Sequence, residues 1–507
     1  MKLQKLHASG ELEALFQYLL TTRLEANLLT LALAALALGA VWLYRALNPG
    51  RPVYMLDFAM AVPPEDWKFP RQKFLKASSC NPDFTKDDME FQERIAYRSG
   101  LGDDTTCPPS GARSLPPPCP AHPPAVRNSN PNPPGLMGHP FFFDMAHARL
   151  EFEVTCFSAV QELLTRTGIT PRQISAIVVN SSLFNPTPSL SAMIMNRFKF
   201  PSSTINYNLG GMGCSASLIS IDLARKVLQI NPNTYVLVVA HENITNNWYP
   251  GKDRSMLVPN CIFRANGAAM LLTNKAAERG RAKYQLRNLV RVNMAGSDKG
   301  YSCVYQTEDE NGDVGVRLSK DLTSVAAEAL MTNLNRLGPQ ILPLSEKLLF
   351  AANMISRKLY GKKKVAPYVP DFMTAVDHVC IHSGGRAVID GMQKALRLSD
   401  AQAEPSRATL YKWGNVSSSS VWYVLAYLES FKGLRRGEKV WQLSFGSGFK
   451  CNSAVWQAVR RIDFVHPCWA DFDAAKMRLD LGQLSAKIAE EKAARRAAGG
   501  EAQPRGE

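Results

Sequence analysis

The sequence predicts an α/β protein built as two related halves, with an N-terminal membrane helix. Three observations lead there. From residue 143 onward, short apolar runs of strand character alternate with amphipathic helical runs. The order of these runs over residues 146–273 is echoed over residues 344–445, which suggests an internally duplicated, mostly parallel sheet. Residues 26–44, ANLLTLALAALALGAVWLY, carry no charge.

That N-terminal stretch is 19 residues long. At ~1.5 Å per residue it nearly crosses a hydrocarbon core of roughly 30 Å. Trp42 and Tyr44 stand at one end, where amphipathic rings favour the interface. Glu11, Glu13 and Glu25 beside Lys2, Lys5 and Arg23 make a poor signal-peptide leader. Residues 12–20, LEALFQYLL, are too short to span and read as a shallow or re-entrant element. Basic residues are denser downstream, at Arg45, Arg51, Lys68, Arg71, Lys73 and Lys76, which places the body in the cytosol. Residues 1–48 are thus read as an anchor and 49–106 as a polar connector. Residues 107–142 form an insertion in which twelve of the 33 positions from 108 to 140 are proline. Proline lacks the amide donor, so extended or disordered chain is expected there.

The first half, residues 143–280, starts with an amphipathic helix over 146–167. Strand 176–180 (AIVVN), a helix near 190–200 and strand 204–209 follow. A glycine turn at 210–213 leads into helix 215–230 and the apolar strands YVLVVA (235–240) and AAMLLT (268–273). The second half, residues 281–470, repeats the rhythm. It has helix 344–360, a strand ending at 379–382, helices 386–396 and 419–431, and strand 440–445 before a Gly-Ser-Gly turn. Residues 471–507 are a charged tail whose KIAEEKAARRAA run is expected to form a solvated helix fraying from Gly499. The ten cysteines show no CxxC pair, so reduced thiols are expected.

Composition limits the function classes. With 46% hydrophobic and 20% charged residues over 507 positions, wholesale disorder, collagen and coiled coil are excluded. The net charge of +15 calls for an anionic partner: nucleic acid, acidic lipid or a phosphorylated substrate.

Four segments carry candidate chemistry. In NLGGMGCSAS a strand runs into a glycine turn and Cys214 opens a helix. Helix N-termini stabilise a thiolate, which is the nucleophilic form of cysteine. A buried, inert thiol is the plainer alternative. In DHVCIHSGGRAVID, His382 stands at the end of a strand before two glycines, where groups of α/β active sites gather. His378 lies further back and is an additional pocket candidate or a hydrogen-bonded core residue. His378, Cys380 and His382 share one strand face but lack a fourth ligand, so no metal is expected. In GNVSSSSVWY, Asn415 is a helix cap or an amide aimed at a substrate oxygen. In SFGSGFKCNSAVW, the backbone of Gly446, Ser447 and Gly448 either completes an oxyanion hole or turns the chain.

Together with NSSLFNPTPSLSAMI and HENITNNWYPGKDRSMLVPNCIFRANGAA, these stretches resemble the plant-type 3-ketoacyl-CoA synthases. Those are the condensing enzymes of very-long-chain fatty acid elongation. The resemblance covers roughly residues 50–100 and 144–465; the proline-rich insertion and the short N-terminus depart from it. It implies a thiolase-like duplicated fold around one active site, with Cys214 as nucleophile and His382 and Asn415 as its partners. It implies acyl-CoA and malonyl-CoA as substrates, no cofactor, and no nucleic acid partner. It further implies a homodimer in the endoplasmic reticulum membrane, the catalytic domain facing the cytosol, alongside the reductase and dehydratase of an elongase complex. Membrane lipid is a further partner. The basic run SRKLYGKKK after the amphipathic helix at 344–360 suits a lipid surface or CoA phosphates. A type III polyketide synthase-like condensing enzyme is the alternative, and an inactive membrane scaffold a third reading.

Overall fold

A computed structural model describes residues 29–30, 32–37, 39–40, 50–108, 144–361 and 364–497. The proline-rich insertion, most of the predicted anchor and the end of the tail lie outside the described residues. Residues 29–30, 32–37 and 39–40 are helical. Among the described residues, no helix is long and apolar enough to cross a membrane.

Eleven strands are described: β1 (Tyr54–Met60), β2 (Ile174–Asn180), β3 (Ile205–Leu209), β4 (Tyr235–Glu242), β5 (Asn266–Thr273), β6 (Tyr284–Asn293), β7 (Val304–Glu308), β8 (Val314–Leu318), β9 (His378–Ile381), β10 (Lys439–Gly446) and β11 (Lys450–Ala458). Nine of them form one sheet in the order β3-β2-β4-β5-β1-β6-β11-β10-β9. The duplication is written in its pairing. In one half β2 runs parallel to β4, β4 antiparallel to β5, and β5 antiparallel to β1. In the other half β9 runs parallel to β10, β10 antiparallel to β11, and β11 antiparallel to β6. The expected mostly parallel sheet is therefore corrected to a mixed one. β4 and β5 are joined through helix Arg254–Ile262, and the chain turns back antiparallel.

Each half sends one buried helix into the middle. Helix α1 (Ala216–Ile230) precedes β4, and a later helix, Ser420–Phe431, precedes β10. The second of these is buried along all of Ser420–Glu429, which is why it is apolar on every side. Strand residues of both halves, including Val178, Val238, Cys380 and Val440, pack with these helices in one core. The other faces of the half-sheets carry separate outer cores under Ala148–Leu164 and under Val325–Leu337. Between the last two central elements the chain contributes α2 (Leu344–Tyr360) and α3 (Asp400–Trp413); the buried helix Ser420–Phe431 is α4.

Residues 52–106, within the stretch read as a connector, belong to the same compact unit as the α/β body. β1 is the central strand that joins the halves, pairing with β5 and, through Tyr54 and Met55, with β6. Its charged residue Asp57 hides the strand pattern, and the fold absorbs that charge. Lys283 Nζ lies 2.8 Å from Asp57 and 2.6 Å from Glu429 of α4. Tyr284 and His466 complete the cluster at 2.8 Å each from Glu429. Burial works against the Glu429 charge, but Lys283 and the His466 donor hold its carboxyl down at about 2. Burial dominates at His466, whose pKa is lowered, so it serves as a neutral donor.

The tail helix α5 (Ala474–Ala497) is largely solvated, as expected, but it is also docked. Met477 is buried, Arg478 holds Glu404 at 2.9 Å, Arg386 reaches Ser485 at 3.0 Å, and Tyr411 bonds Asp480. Nine cysteines are unpaired among the described residues.

Lys283→Met leaves Glu429 fully buried without its cation. Loss of one partner of a buried ion pair costs about 3–5 kcal/mol. The thermal transition of the full chain is therefore expected to fall sharply, whereas Arg461→Met, at an exposed pair with Asp463, should leave it nearly unmoved.

Candidate functional site

The turn before α1 is built by glycine for two separate reasons. Gly211 and Gly213 have φ of +64° and +69°, the left-handed region that disfavours side chains. A Cβ at Gly211 would meet nothing, but one at Gly213 would overlap the backbone N of Ser447. From the opposite side, a Cβ at Gly446 would stand 2.6 Å from Ser215 Oγ and 2.9 Å from Ser215 N. The β10–β11 turn thus presses directly onto the Cys214 turn, and Ser444 Oγ donates to Cys214 O at 3.1 Å. The structure therefore brings Gly446 and Ser447 beside the Cys214 turn, whereas Gly448 lies toward Lys450 and Ala295.

Cys214 sits one residue before the Ser215 cap of α1. It lies deep in the protein, yet part of its surface is open. Burial pushes its thiol up to about 12; a hydrogen bond with the Ser417 hydroxyl offsets part of this, and the Glu242 charge adds to it. The thiolate expected from the helix end alone is thus opposed by desolvation. The resting group is a thiol.

His382 follows β9, with its N–H donating to Leu443 O at 2.9 Å. Gly384 has no Cβ to push the ring away; one built there would lie 3.0–3.1 Å from Cδ2 and Nε2. Burial lowers the imidazole pKa to about 4, so the ring is neutral at physiological pH. Its Nδ1 has no hydrogen-bond partner among the described residues, so the fold does not dictate which nitrogen carries the proton.

Asn415 serves both of its sequence readings. Its backbone is clamped, with N donating to Ile262 O at 2.9 Å and O accepting from Arg264 N at 3.0 Å. Its Oδ1 caps the turn before α4 by accepting from Ser417 N at 2.9 Å. That leaves Nδ2 facing Gly384 O, 3.2 Å away, on the His382 side. Capping thereby fixes which end of the amide faces the histidine loop.

Cys214, His382 and Asn415 are therefore linked through Ser417 and Gly384 where the N-termini of α1 and α4 meet. Asn180 ties the two helices, accepting from Ser418 Oγ at 2.7 Å and donating to Ser220 Oγ at 2.9 Å. His378 is outside this cluster. It begins β9, pairs in register with Val440, and lies 3.3 Å from Glu438.

Two participants were not singled out in the sequence. Ser417 has φ of +50°, a strained conformation for a residue with a side chain. Its hydroxyl donates to Glu242 Oε2 at 3.1 Å and also meets the Cys214 thiol. Glu242 is buried at the end of β4 and accepts from Ser182 N at 3.0 Å and Leu183 N at 2.9 Å. A carboxylate closing the apolar run YVLVVAHE was the available signal. Among the described residues, no group of three or more His, Cys, Asp or Glu converges as a metal site.

Comparison with known proteins identifies the family and the fold. A family described as FAE1/Type III polyketide synthase-like protein matches residues 45–128 and 124–359, and the chalcone and stilbene synthase C-terminal domain matches residues 374–460. 3-Ketoacyl-CoA synthase 2 of Arabidopsis thaliana is 49% identical over 432 residues, covering 85% of this chain and 77% of the relative. 3-Ketoacyl-CoA synthase 11 of the same plant is 47% identical over 440 residues, covering 87% and 81%. Among solved structures, the fungal type III polyketide synthase ORAS superposes with a TM-score of 0.59 at 17% identity, covering 80% of this chain and 99% of that one. A polyketide synthase from the brown alga Ectocarpus siliculosus gives 0.55 at 19%, covering 80% and 98%. At such identity these two share the fold.

Two predictions follow from the packing. Gly211→Ala should cost only the left-handed strain of about 1–2 kcal/mol. Gly213→Ala adds a clash with backbone, about 1–3 kcal/mol more, and thermal denaturation of the two variants should rank them so. Ser417→Ala removes the hydroxyl that stabilises the Cys214 thiolate. A hydrogen bond to a charged group contributes about 1.5–3 kcal/mol, so iodoacetamide alkylation of Cys214 should slow about tenfold or more at neutral pH. Its pH profile should move upward; an unchanged profile contradicts the assignment.

Proposed function

The chain belongs to the 3-ketoacyl-CoA synthase family, and from that premise we propose that it condenses a long-chain acyl-CoA with malonyl-CoA through an acyl-Cys214 intermediate. The observation that carries this reading is the junction of Cys214, His382 and Asn415 at the two buried helix ends.

The reaction has two stages. Cys214 Sγ attacks the acyl thioester carbonyl while its proton passes to the neutral His382 imidazole. The C–S bond to CoA breaks, and the CoA thiolate leaves with that proton. Malonyl-CoA then binds, and its bond to the carboxylate carbon breaks, releasing CO₂. The electron pair left behind forms an enolate whose oxygen is held by N–H groups of His382 and Asn415. The enolate carbon attacks the acyl-cysteine carbonyl, the C–Sγ bond breaks, Cys214 leaves as a thiolate that takes one proton from solvent to restore the thiol, and a 3-ketoacyl-CoA two carbons longer departs. Each stage places negative charge on oxygen, so preoriented neutral donors in a dry pocket lower the barrier most. We assign the backbone of Gly446, Ser447 and Gly448 to the acyl-carbonyl oxygen, a reading that the contact of Gly446 and Ser447 with the Cys214 turn favours.

The apolar run at 26–44 and the basic residues after it support anchoring in a membrane with the catalytic body on the cytosolic face, and we assign that membrane to the endoplasmic reticulum from the family resemblance. We assign the working form as a homodimer acting beside the reductase and dehydratase that consume its product. No cofactor enters these steps.

Membranes carrying the protein, given labelled malonyl-CoA and a series of acyl-CoA lengths, should yield labelled 3-ketoacyl products. Cys214→Ala should abolish them. Asn415→Ala should lower turnover about 10²–10³-fold, the typical cost of one oxyanion donor. Product formation that survives Cys214→Ala contradicts the mechanism.

A further inference from the structure

Helix α2 (Leu344–Tyr360) is built inside out. Its polar side faces the protein. Glu346 is buried and accepts from Tyr368 Oη at 2.8 Å and from Asp371 N at 2.9 Å. Two turns on, Asn353 donates to Ala366 O at 3.0 Å and accepts from Tyr368 N at 2.9 Å. The segment 366–371 thus runs along this polar side and uses it to satisfy its own backbone groups. At 100° per residue, Leu344, Leu348, Ile355 and Leu359 fall on the opposite side. They are 70%, 60%, 60% and 71% exposed. Four large aliphatic side chains in one exposed row exceed the scattered apolar residues of an ordinary surface.

The charge around that row is of one sign. Glu346 is the only acidic residue of the helix, and it is turned inward. Lys347 and Lys358 flank the apolar row by helical angle. Arg357 and Lys358 lie in its last turn, and the chain continues through Lys362, Lys363 and Lys364. An apolar row edged by lysine is the pattern of a helix lying in the plane of an anionic bilayer surface. A second copy of the same face would bring like charges together.

We propose that the outer face of α2 inserts shallowly into an anionic lipid surface, as a second membrane contact apart from the N-terminal run. Leu344, Leu348, Ile355 and Leu359 enter the acyl boundary, and the basic cluster meets lipid phosphates and carboxylates. The contact stands on this helix alone and does not depend on the catalytic reading.

Hydrogen–deuterium exchange of the full chain tests it. The chain is mixed with vesicles of phosphatidylcholine alone, or of phosphatidylcholine with phosphatidylserine. Amides of residues 344–360 should exchange about tenfold or more slowly with the anionic vesicles, and high salt should reverse much of this. Leu348→Glu with Ile355→Glu should remove the protection while exchange over residues 420–431 stays as in the wild type. Exchange over residues 26–44 reports the N-terminal run separately. The inference is overturned if residues 344–360 exchange equally with and without anionic vesicles. It is overturned too if their protection follows protein concentration, which marks a second copy. Should the double variant fail to fold, the wild-type comparison between the two vesicle types decides alone.

Discussion

The catalytic body is organised by one close approach: two chain turns, one from each half, meet with no room for a β-carbon. Gly213 lies against the backbone of Ser447, and Gly446 against Ser215. Because these turns touch, the N-termini of α1 and α4 are held at one place, and the sheet must lie around that pair of helices. The pairing order of the strands follows the same constraint, since β4–β5 and β10–β11 are equivalent antiparallel pairs placed after equivalent central helices. The site is therefore a property of the duplication, not a loop added to its edge.

Placing a thiol and an imidazole that deep selects their resting state. Desolvation penalises charge, so the thiol is pushed up and the imidazole down. Both are neutral before substrate arrives. Moving the first proton from one to the other leaves the net charge of the pocket unchanged, but the same desolvation opposes the ion pair it makes, so the transfer has to be coupled to attack on the thioester. The neutral resting state suits the second stage, in which a neutral imidazole still owns an N–H. Ser417 adds a constraint of its own. Its hydroxyl has one proton and two acceptors, Glu242 and a Cys214 thiolate. At rest the thiol can donate to Ser417 while Ser417 donates to Glu242; once sulfur is charged, the direction of that chain has to change. The left-handed φ of Ser417 is tolerated because Asn415 caps it and the surrounding serines are fully buried.

Much of this was legible in the sequence, and the failures have physical causes. The apolar runs at β2, β4, β5 and β10 were plain because buried strands repel charge. The glycine turn and the strand-end histidine were plain because their chemistry is rare. β1 was hidden by Asp57, which Lys283, Arg166 and the Phe58 N–H make acceptable. β11 was hidden because Asn452 and Ser453 read as polar, although Ser453 accepts from Trp441 Nε1 at 3.0 Å and donates to Asn333 at 2.7 Å. Strand direction was lost because an apolar strand reads alike whether its neighbour runs parallel or antiparallel. Glu242 and Ser417 escaped notice because a buried carboxylate has meaning only once its donors are in place.

Periodicity carries a related ambiguity at α2. A 3.6-residue repeat of apolar positions states that a helix has two faces; it does not state which one the protein keeps. The usual assumption is that the apolar side turns inward, since burial there is favourable. Here the neighbouring segment 366–371 has no strand partner, and its backbone groups need donors and acceptors. Glu346 and Asn353 supply them, which fixes the polar side inward and leaves the aliphatic row outside. For a protein confined to water this choice exposes several large side chains at a cost near 1–2 kcal/mol each. In the plane of a bilayer the same row becomes favourable. The lipid contact proposed for α2 would offset that cost, and the inward hydrogen bonds of Glu346 and Asn353 explain why the helix keeps its aliphatic row outside.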